Sequence, residues 1–422
     1  MVTTKQNLTD LAIFGGPPAF TEKLHVGRPN IGNREHFLAR VNDILDRRWL
    51  TNNGQYVQEF EQRIANMLGV KHCVVMCNGT IALEIAIRAV GLTGEVIVPS
   101  MTFVATAHAL QWQEITPVFC DIDPATHTLD PAMVEQMITP RTTGIIGVHL
   151  WGRPCNVDAL ACIARRRNLA LLFDAAHTFG CSHQGRMIGG FGQAEVLSFH
   201  ATKFFNTLEG GAVLTNNDDL AHKMRLMKNF GFYGYDNVIH VGTNGKMNEM
   251  SAAMGLTLLE TLDETLAVNY NHYRQYRHEL AGLPGIKMVA YNETEKCNYQ
   301  YIVLEIDETE TGLSRDQLLH ILQSENVVAR RYFYPGVHRM EPYRSYFPHA
   351  GLVLPHTERL VQRVLSLPTG TAIEPNDISQ ICQIIRLAVC AGPAVQAALA
   401  GQPIPVAAPA ELAAVDMFEF VA

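Results

Sequence analysis

"SFHATKFFNTLEGGAVLTN", residues 198–216, sets one lysine, Lys203, between two short apolar runs. Glu195–Phe199 reads as a strand end, and the run after Gly210–Gly211 reads as another strand. A lysine in such a connection is ordinarily a solvated cation, so the flanking sequence decides its meaning. From about residue 70 to 215, strand-like and helix-like runs alternate. "HCVVMC" leads into "TIALEIAIRAVGL", where Ile81, Ile85 and Ala89 share a helical face. "EVIVPS" leads into "FVATAHALQW", followed by "TPVFCDI", "TGIIGVHL", "DALACIARRRN", "LALLFDAAH", "AEVLSF" and "GAVLTN". This alternation predicts an α/β domain with a mostly parallel central sheet.

The 422 residues are too many for one simple core, which implies two domains. The net charge of −8, with no basic stretch, argues against nucleic acid as a partner. No apolar run reaches membrane-helix length, and the start lacks the apolar run of a secretory signal. The nine cysteines show no zinc spacing, so no metal is expected, and buried free thiols in a reducing cytoplasm are the expected account.

Residues 247–283 read as largely helical and suited to bridge two domains. "NYQYIVLEID", "SRDQLLHILQSENV" and "DISQICQIIRLAV" suggest a smaller α+β unit, with Ser314 and Gln317 as a capping box. The expected division is 1–262 for an N-terminal segment with the large α/β domain, 263–390 for the small domain, and 391–422 for a tail. That tail holds 11 alanines and four prolines with no Lys or Arg, and is expected to have little structure of its own.

Ligands of open α/β sheets collect beyond the carboxyl ends of the strands. At one such end, "CNGT" offers Gly79 and Thr80 at a helix N-terminus, a phosphate site or simply a turn and cap. At another, Phe103 offers a ring to cover a flat ligand, or a core residue. "LALLFDAAH" places Asp174 at the end of a buried run, where a carboxylate needs a partner, and His177 three residues later. Phosphate cradle, stacking ring, buried carboxylate and strand-end lysine are together the parts of a pyridoxal phosphate site. The lysine amine condenses with the cofactor's aldehyde, and the carboxylate keeps the ring nitrogen protonated.

The blocks "VQEFEQRIANMLGV", "CNGTIALEIAIRA", "EVIVPSMTFVATAHAL", "PVFCDID", "DAAHTFG", "SFHATKFFNTLEGGAVLTN" and "GTNGKMNEMSAAMGL" resemble the DegT/DnrJ/EryC1/StrS sugar aminotransferases, from roughly Arg28 to Val389. The resemblance implies fold type I of the pyridoxal phosphate enzymes, with Lys203 carrying the cofactor and shuttling a proton. It implies Asp174 at the pyridine nitrogen, His177 near the phenolic oxygen, Phe103 over the ring, and Gly79, Thr80 and Ser198 at the phosphate. It implies a homodimer in which Asn244 reaches a second subunit's phosphate. "NGT" stands where the family usually has "SGT", and Lys246 where it often has Arg. His200 has two readings, an extra catalyst or a structural hydrogen bond.

The resemblance further implies L-glutamate as amino donor and a nucleotide-linked keto sugar as acceptor. "HVGRPNIGN" and "DRRWLTNNG" are similar to members aminating carbon 4 of dTDP-4-keto-6-deoxyglucose; amination at carbon 3 or another nucleotide stays open. Arg330, Arg331 and His338, in "ARRYFYPGVHRMEPY", are expected to face substrate or form a basic surface loop. Two other readings compete. Related sugar 3-dehydratases carry His in place of the lysine, which Lys203 opposes. A non-catalytic regulator is opposed by the intact set of Lys203, Asp174 and Thr80.

Overall fold

A computed structural model describes residues 4–400. Seven strands form the large sheet: β1 (His72–Met76), β2 (Glu95–Pro99), β3 (Thr116–Cys120), β4 (Thr142–Val148), β5 (Ala170–Asp174), β6 (Ala194–Ser198) and β7 (Gly211–Thr215). Their order is β1-β7-β6-β5-β4-β2-β3. Four pairings, β6 with β5, β5 with β4, β4 with β2 and β2 with β3, are parallel. β7 alone runs against its neighbours, β6 and β1. The reason is local: residues 199–210 contain no crossover helix, so the chain returns antiparallel. The sheet is therefore mixed, with Lys203 in the connection that reverses it.

Both faces of the sheet are covered by apolar side chains. Phe60, Phe173, Leu197 and Leu256 belong to one core, and Val74, Ile87, Val98 and Val213 to the other. Burial on both faces explains why these strands read as continuous apolar runs. The helix Gln55–Leu68 begins without an N-capping side chain of its own. The buried Glu249 carboxylate replaces it, accepting the N–H groups of Tyr56 at 2.9 Å and Val57 at 3.0 Å.

The helix Glu249–Glu260 packs against Gln55–Leu68, and the next one, Leu262–Glu279, packs against Pro375–Cys390. This pair leads from the large sheet to the C-terminal sheet. The C-terminal unit holds an antiparallel sheet of β8 (Ile286–Met288), β9 (Ile302–Ile306) and β10 (Val364–Leu367), in that order. The Ser314–Gln317 capping box is present on Arg315–Ser324. Alternation along β9 serves two interfaces. Ile302, Leu304 and Ile306 enter the C-terminal core, while Tyr301 and Val303 face Met101, Leu150 and Trp151 of the large unit.

Two segments differ from expectation. Residues 5–25 join the C-terminal unit although they precede the large one. Leu11, Phe20 and Leu24 enter its core, and Leu24–His25 pairs in parallel with Val327–Val328. A fully buried ion pair, Lys5 Nζ to Glu325 at 3.0 Å, fastens this arm. Its geometry suits burial: Glu325 also accepts Ala12 N–H and Ala19 N–H, each at 2.7 Å, so the carboxylate is not left unsatisfied. The expected tail begins with a helix, Gly392–Leu399, because Val395 and Leu399 find apolar cover in the same core. The closing "DMFEFVA" lies outside the described residues. Among those described, no single helix is long and apolar enough to cross a membrane.

Candidate active site

The carboxyl ends of β1, β2, β5 and β6 share one side of the sheet, and most of the expected residues meet there. The 199–210 connection is held by Lys203 N–H to His200 C=O and Thr207 N–H to Phe199 C=O, both at 2.9 Å. Lys203 Nζ lies 3.1 Å from the Tyr301 hydroxyl. The side chain is partly exposed to the cleft, yet protein surrounds the amine. Desolvation pulls its pKa down to about 8 against the opposing pull of Asp174. At pH 7.5 about a quarter of the amine is then neutral and nucleophilic, against about a thousandth for an ordinary lysine.

Asp174 ends β5 and is buried. Its Oδ2 accepts the Thr106 hydroxyl at 2.8 Å, and its Oδ1 accepts Ala176 N–H at 3.1 Å. Thr106 in turn meets Thr102 at 2.9 Å. Burial raises the Asp174 pKa, while Thr106, Ala176 and the Lys203 charge oppose the rise. A buried carboxylate costs several kcal/mol, about 1.5–3 of which each bond to the charged group returns. A cationic ring N–H would supply the balance, so the site suits a pyridinium.

His177 Nδ1 accepts Trp151 N–H at 3.2 Å, so in the neutral ring the proton sits on Nε2. Burial, and secondarily the Lys203 charge, hold its pKa well below the usual range. Its ring lies 4.5 Å from Tyr301 and 5.8 Å from Phe333. Phe103 is 56 % exposed, which removes the core reading and leaves a ring free to cover a ligand.

Gly79 begins the helix Gly79–Val90, and Asn78 caps it by accepting Ile81 N–H at 2.8 Å. This use of Asn78 accounts for "NGT": the first residue serves the helix. The N–H groups of Gly79 and Thr80 stay outside the helical ladder, aimed where an anion binds. A Cβ on Gly79 would meet Ser198 Cβ at 3.1 Å, so the end of β6 closes one side of this cradle. A Cβ on Gly211 would meet the Asn78 carbonyl and Gly79 Cα at 2.7 Å. Only glycine there lets β7 pass beneath the turn. The residues fit pyridoxal phosphate: donors for its phosphate, a carboxylate for its nitrogen and a desolvated amine for its aldehyde.

The remaining expected residues divide. Asn244 is exposed, and its Oδ1 accepts Lys246 Nζ at 2.7 Å. Lys246 thus acquires a role: it orients Asn244 while its ammonium sits 4.8 Å from the Phe230 ring centre. Arg330 lies 5.6 Å from the Tyr332 ring, and Tyr332 adjoins Tyr301 and Phe333 at the cleft. Arg331 turns away, bonding Asp316 at 3.1 Å and lying 4.5 Å from the Tyr334 ring. The substrate role expected for His338 needs correction. It is buried, with Nδ1 at 2.6 Å from Ser100 Oγ and Nε2 at 2.7 Å from Glu358, so neither ring nitrogen is free. His200 makes a structural bond to Thr202 Oγ1 at 2.9 Å.

Three site residues go unforeseen: Tyr301, Thr106 and Asn30. Thr106 was legible as a hydroxyl one turn after Thr102 in "SMTFVAT". Asn30 is buried and donates to Phe204 C=O at 2.6 Å, while its own carbonyl accepts Asn206 Nδ2 at 3.0 Å. It pins the lysine connection from the segment that follows the N-terminal arm.

Residues 32–386 match the model of the DegT/DnrJ/EryC1/StrS aminotransferase family. A dTDP-4-amino-4,6-dideoxy-D-glucose transaminase of Shigella dysenteriae is 38% identical over 365 residues, 86% of this chain and 98% of that one. A GDP-perosamine synthase of Caulobacter vibrioides is 35% identical over 369 residues, covering 85% and 96%. The crystal structure of DesI in the presence of its TDP-sugar product is 50% identical. It superposes with a TM-score of 0.89 over 92% of this chain and 99% of that one. With the cradle, the carboxylate and the lysine at the strand ends of one sheet, the chain belongs to the DegT/DnrJ/EryC1/StrS aminotransferase family and is a pyridoxal-phosphate-dependent transaminase of fold type I.

Proposed function

We propose that this enzyme moves the amino group of L-glutamate to carbon 4 of dTDP-4-keto-6-deoxyglucose. The observation that carries the chemistry is the desolvated Lys203 amine within electrostatic reach of the buried Asp174. The sugar rests on likeness to the Shigella transaminase and to DesI, whose structure was determined with a TDP-sugar product.

Pyridoxal phosphate, when bound, supplies the aldehyde that takes up the amino group and the ring that accepts electron density. The protein does the rest. Gly79, Thr80 and Ser198 would hold the cofactor's phosphate. Asp174, oriented by Thr106 and Ala176, would hold the proton of its ring nitrogen. Phe103 would cover one ring face and keep water from it. Lys203 Nζ would take the proton from the α-carbon of the donor and serve as the base of a 1,3 proton transfer. Arg330 meets the donor carboxylate.

Likeness to a GDP-perosamine synthase supports a second reading, a GDP-linked acceptor. The deciding experiment gives holoenzyme and glutamate a panel of dTDP- and GDP-linked 4-keto and 3-keto sugars, read by mass spectrometry. We expect 2-oxoglutarate and one amino sugar, only with the dTDP-4-keto acceptor. Turnover of the GDP sugar alone shifts the assignment, and no turnover with any acceptor favours a regulator.

The same reading includes a homodimer with shared sites. Beside Asn244, the side chains of Phe230, Tyr233, Tyr235, Val238, Ile239 and Val241 are all exposed. So dense an apolar face suits coverage by a second copy. Mixing Lys203→Ala with an Asn244→Ala variant under subunit exchange should restore activity, because one site per mixed dimer keeps both residues. Proven exchange without recovery removes Asn244 from the partner's site. The nine free cysteines agree with a reducing cytoplasm as the place of work.

A further inference from the structure

We propose that Tyr301 is the positioning residue of the reactive lysine: its hydroxyl holds the Lys203 amine in place whenever that amine is free. The inference rests on the reading of Lys203 as the residue that carries the cofactor.

The geometry is specific to the hydroxyl. Lys203 Nζ is 3.1 Å from Tyr301 Oη but 5.8 Å from the ring centre, so the polar end carries the contact. The ring has little freedom. Tyr301 C=O accepts the Tyr291 hydroxyl at 2.6 Å, fixing the backbone just ahead of β9. His177 lies tilted against the ring at 4.5 Å, and Tyr332 meets it edge-on at 6.3 Å. The side chain comes from the C-terminal unit, so that unit's docking places the oxygen at the lysine.

The chemistry suits a group that must serve two protonation states. Tyr301 is buried, and burial raises its pKa well above the usual phenol range, with the neighbouring Tyr332 adding to the rise. It therefore stays a neutral phenol, which accepts from an ammonium N–H and donates to an amine lone pair. Lys203 can change protonation without losing its partner. A carboxylate in this place would hold the amine charged, and an alkyl group would hold it nowhere. The titratable groups that act on the amine electrostatically are Asp174 and His177, while the His200 ring is engaged with Thr202 and lies 3.6 Å from Glu209. Asp174 attracts the ammonium, but it is also the partner expected for the ring nitrogen.

The experiment uses Tyr301→Phe, which keeps the ring packing and removes only the oxygen. In cofactor-free protein, the acylation rate of Lys203 is followed against pH by peptide-resolved mass spectrometry. Bonds to a charged group outweigh those to a neutral one. The ammonium therefore loses more, and the midpoint should fall from about 8 by about one pH unit. Covalent capture of added pyridoxal phosphate, followed by its absorbance, should slow by about tenfold or more because the amine is no longer aimed. A midpoint within 0.2 of wild type, by order of magnitude no change, overturns the proposal whatever the turnover. The acylation titration needs no sugar or donor, so it stands apart from any failure of the assigned reaction.

Discussion

Lys203→Ala loses turnover by at least about 10⁴-fold, the combined effect of a missing covalent anchor and a missing proton carrier. The variant still binds pyridoxal phosphate, because the Gly79–Thr80 cradle, Ser198 and Asp174 do not depend on the amine. The expectation follows from two observations. Lys203 is the only lysine placed beside Asp174 at the strand ends among the described residues, and its pKa is lowered to about 8 by desolvation. Lys246, the other lysine with a lowered pKa, is spent on Asn244 and Phe230. Steady-state assay with glutamate and keto sugar, beside dialysis against a cofactor-free buffer, checks both halves. Appreciable turnover in the variant would mean that another group moves the proton.

Asp174→Asn lowers turnover by about 10³-fold while leaving the fold intact. The amide keeps the shape: its one oxygen can still accept Ala176 N–H, while its NH2 would donate to the Thr106 hydroxyl, which turns to donate to Thr102. It cannot balance a positive charge on the ring nitrogen, so the nitrogen loses its proton and the ring its pull on electrons. Stability should hold or rise slightly, because a buried charge opposed by desolvation is removed. Circular dichroism and thermal unfolding check the fold, and single-turnover rates with glutamate check the chemistry. A variant within about tenfold of wild type would reduce Asp174 to a strand-end hydrogen bonder.

Much of this site was legible because its parts sit at the ends of apolar runs. Asp174 follows four large apolar residues, and Lys203 lies between two strands, so burial and placement could be inferred together. The reversal of β7 was not legible, since strand direction depends on what connects the strands rather than on their side chains. His338 was misjudged because the groups that occupy it, Ser100 and Glu358, lie 238 and 20 positions away. Tyr301 escaped for the same reason: its partner is 98 residues distant, and a tyrosine ahead of a strand is ordinary in sequence. The N-terminal arm joined the C-terminal core through Lys5 and Glu325, 320 positions apart, which no local pattern announces. Periodicity reports what one segment buries, and pairing across the chain reports against what.

The most direct test of the central claim is chemical. Holoenzyme is reduced with borohydride, digested and mapped by mass spectrometry. The account predicts one pyridoxyl adduct, on the peptide containing Lys203, with loss of the visible absorbance of the bound cofactor. An adduct on any other lysine, or a bound cofactor that borohydride does not fix, would contradict it.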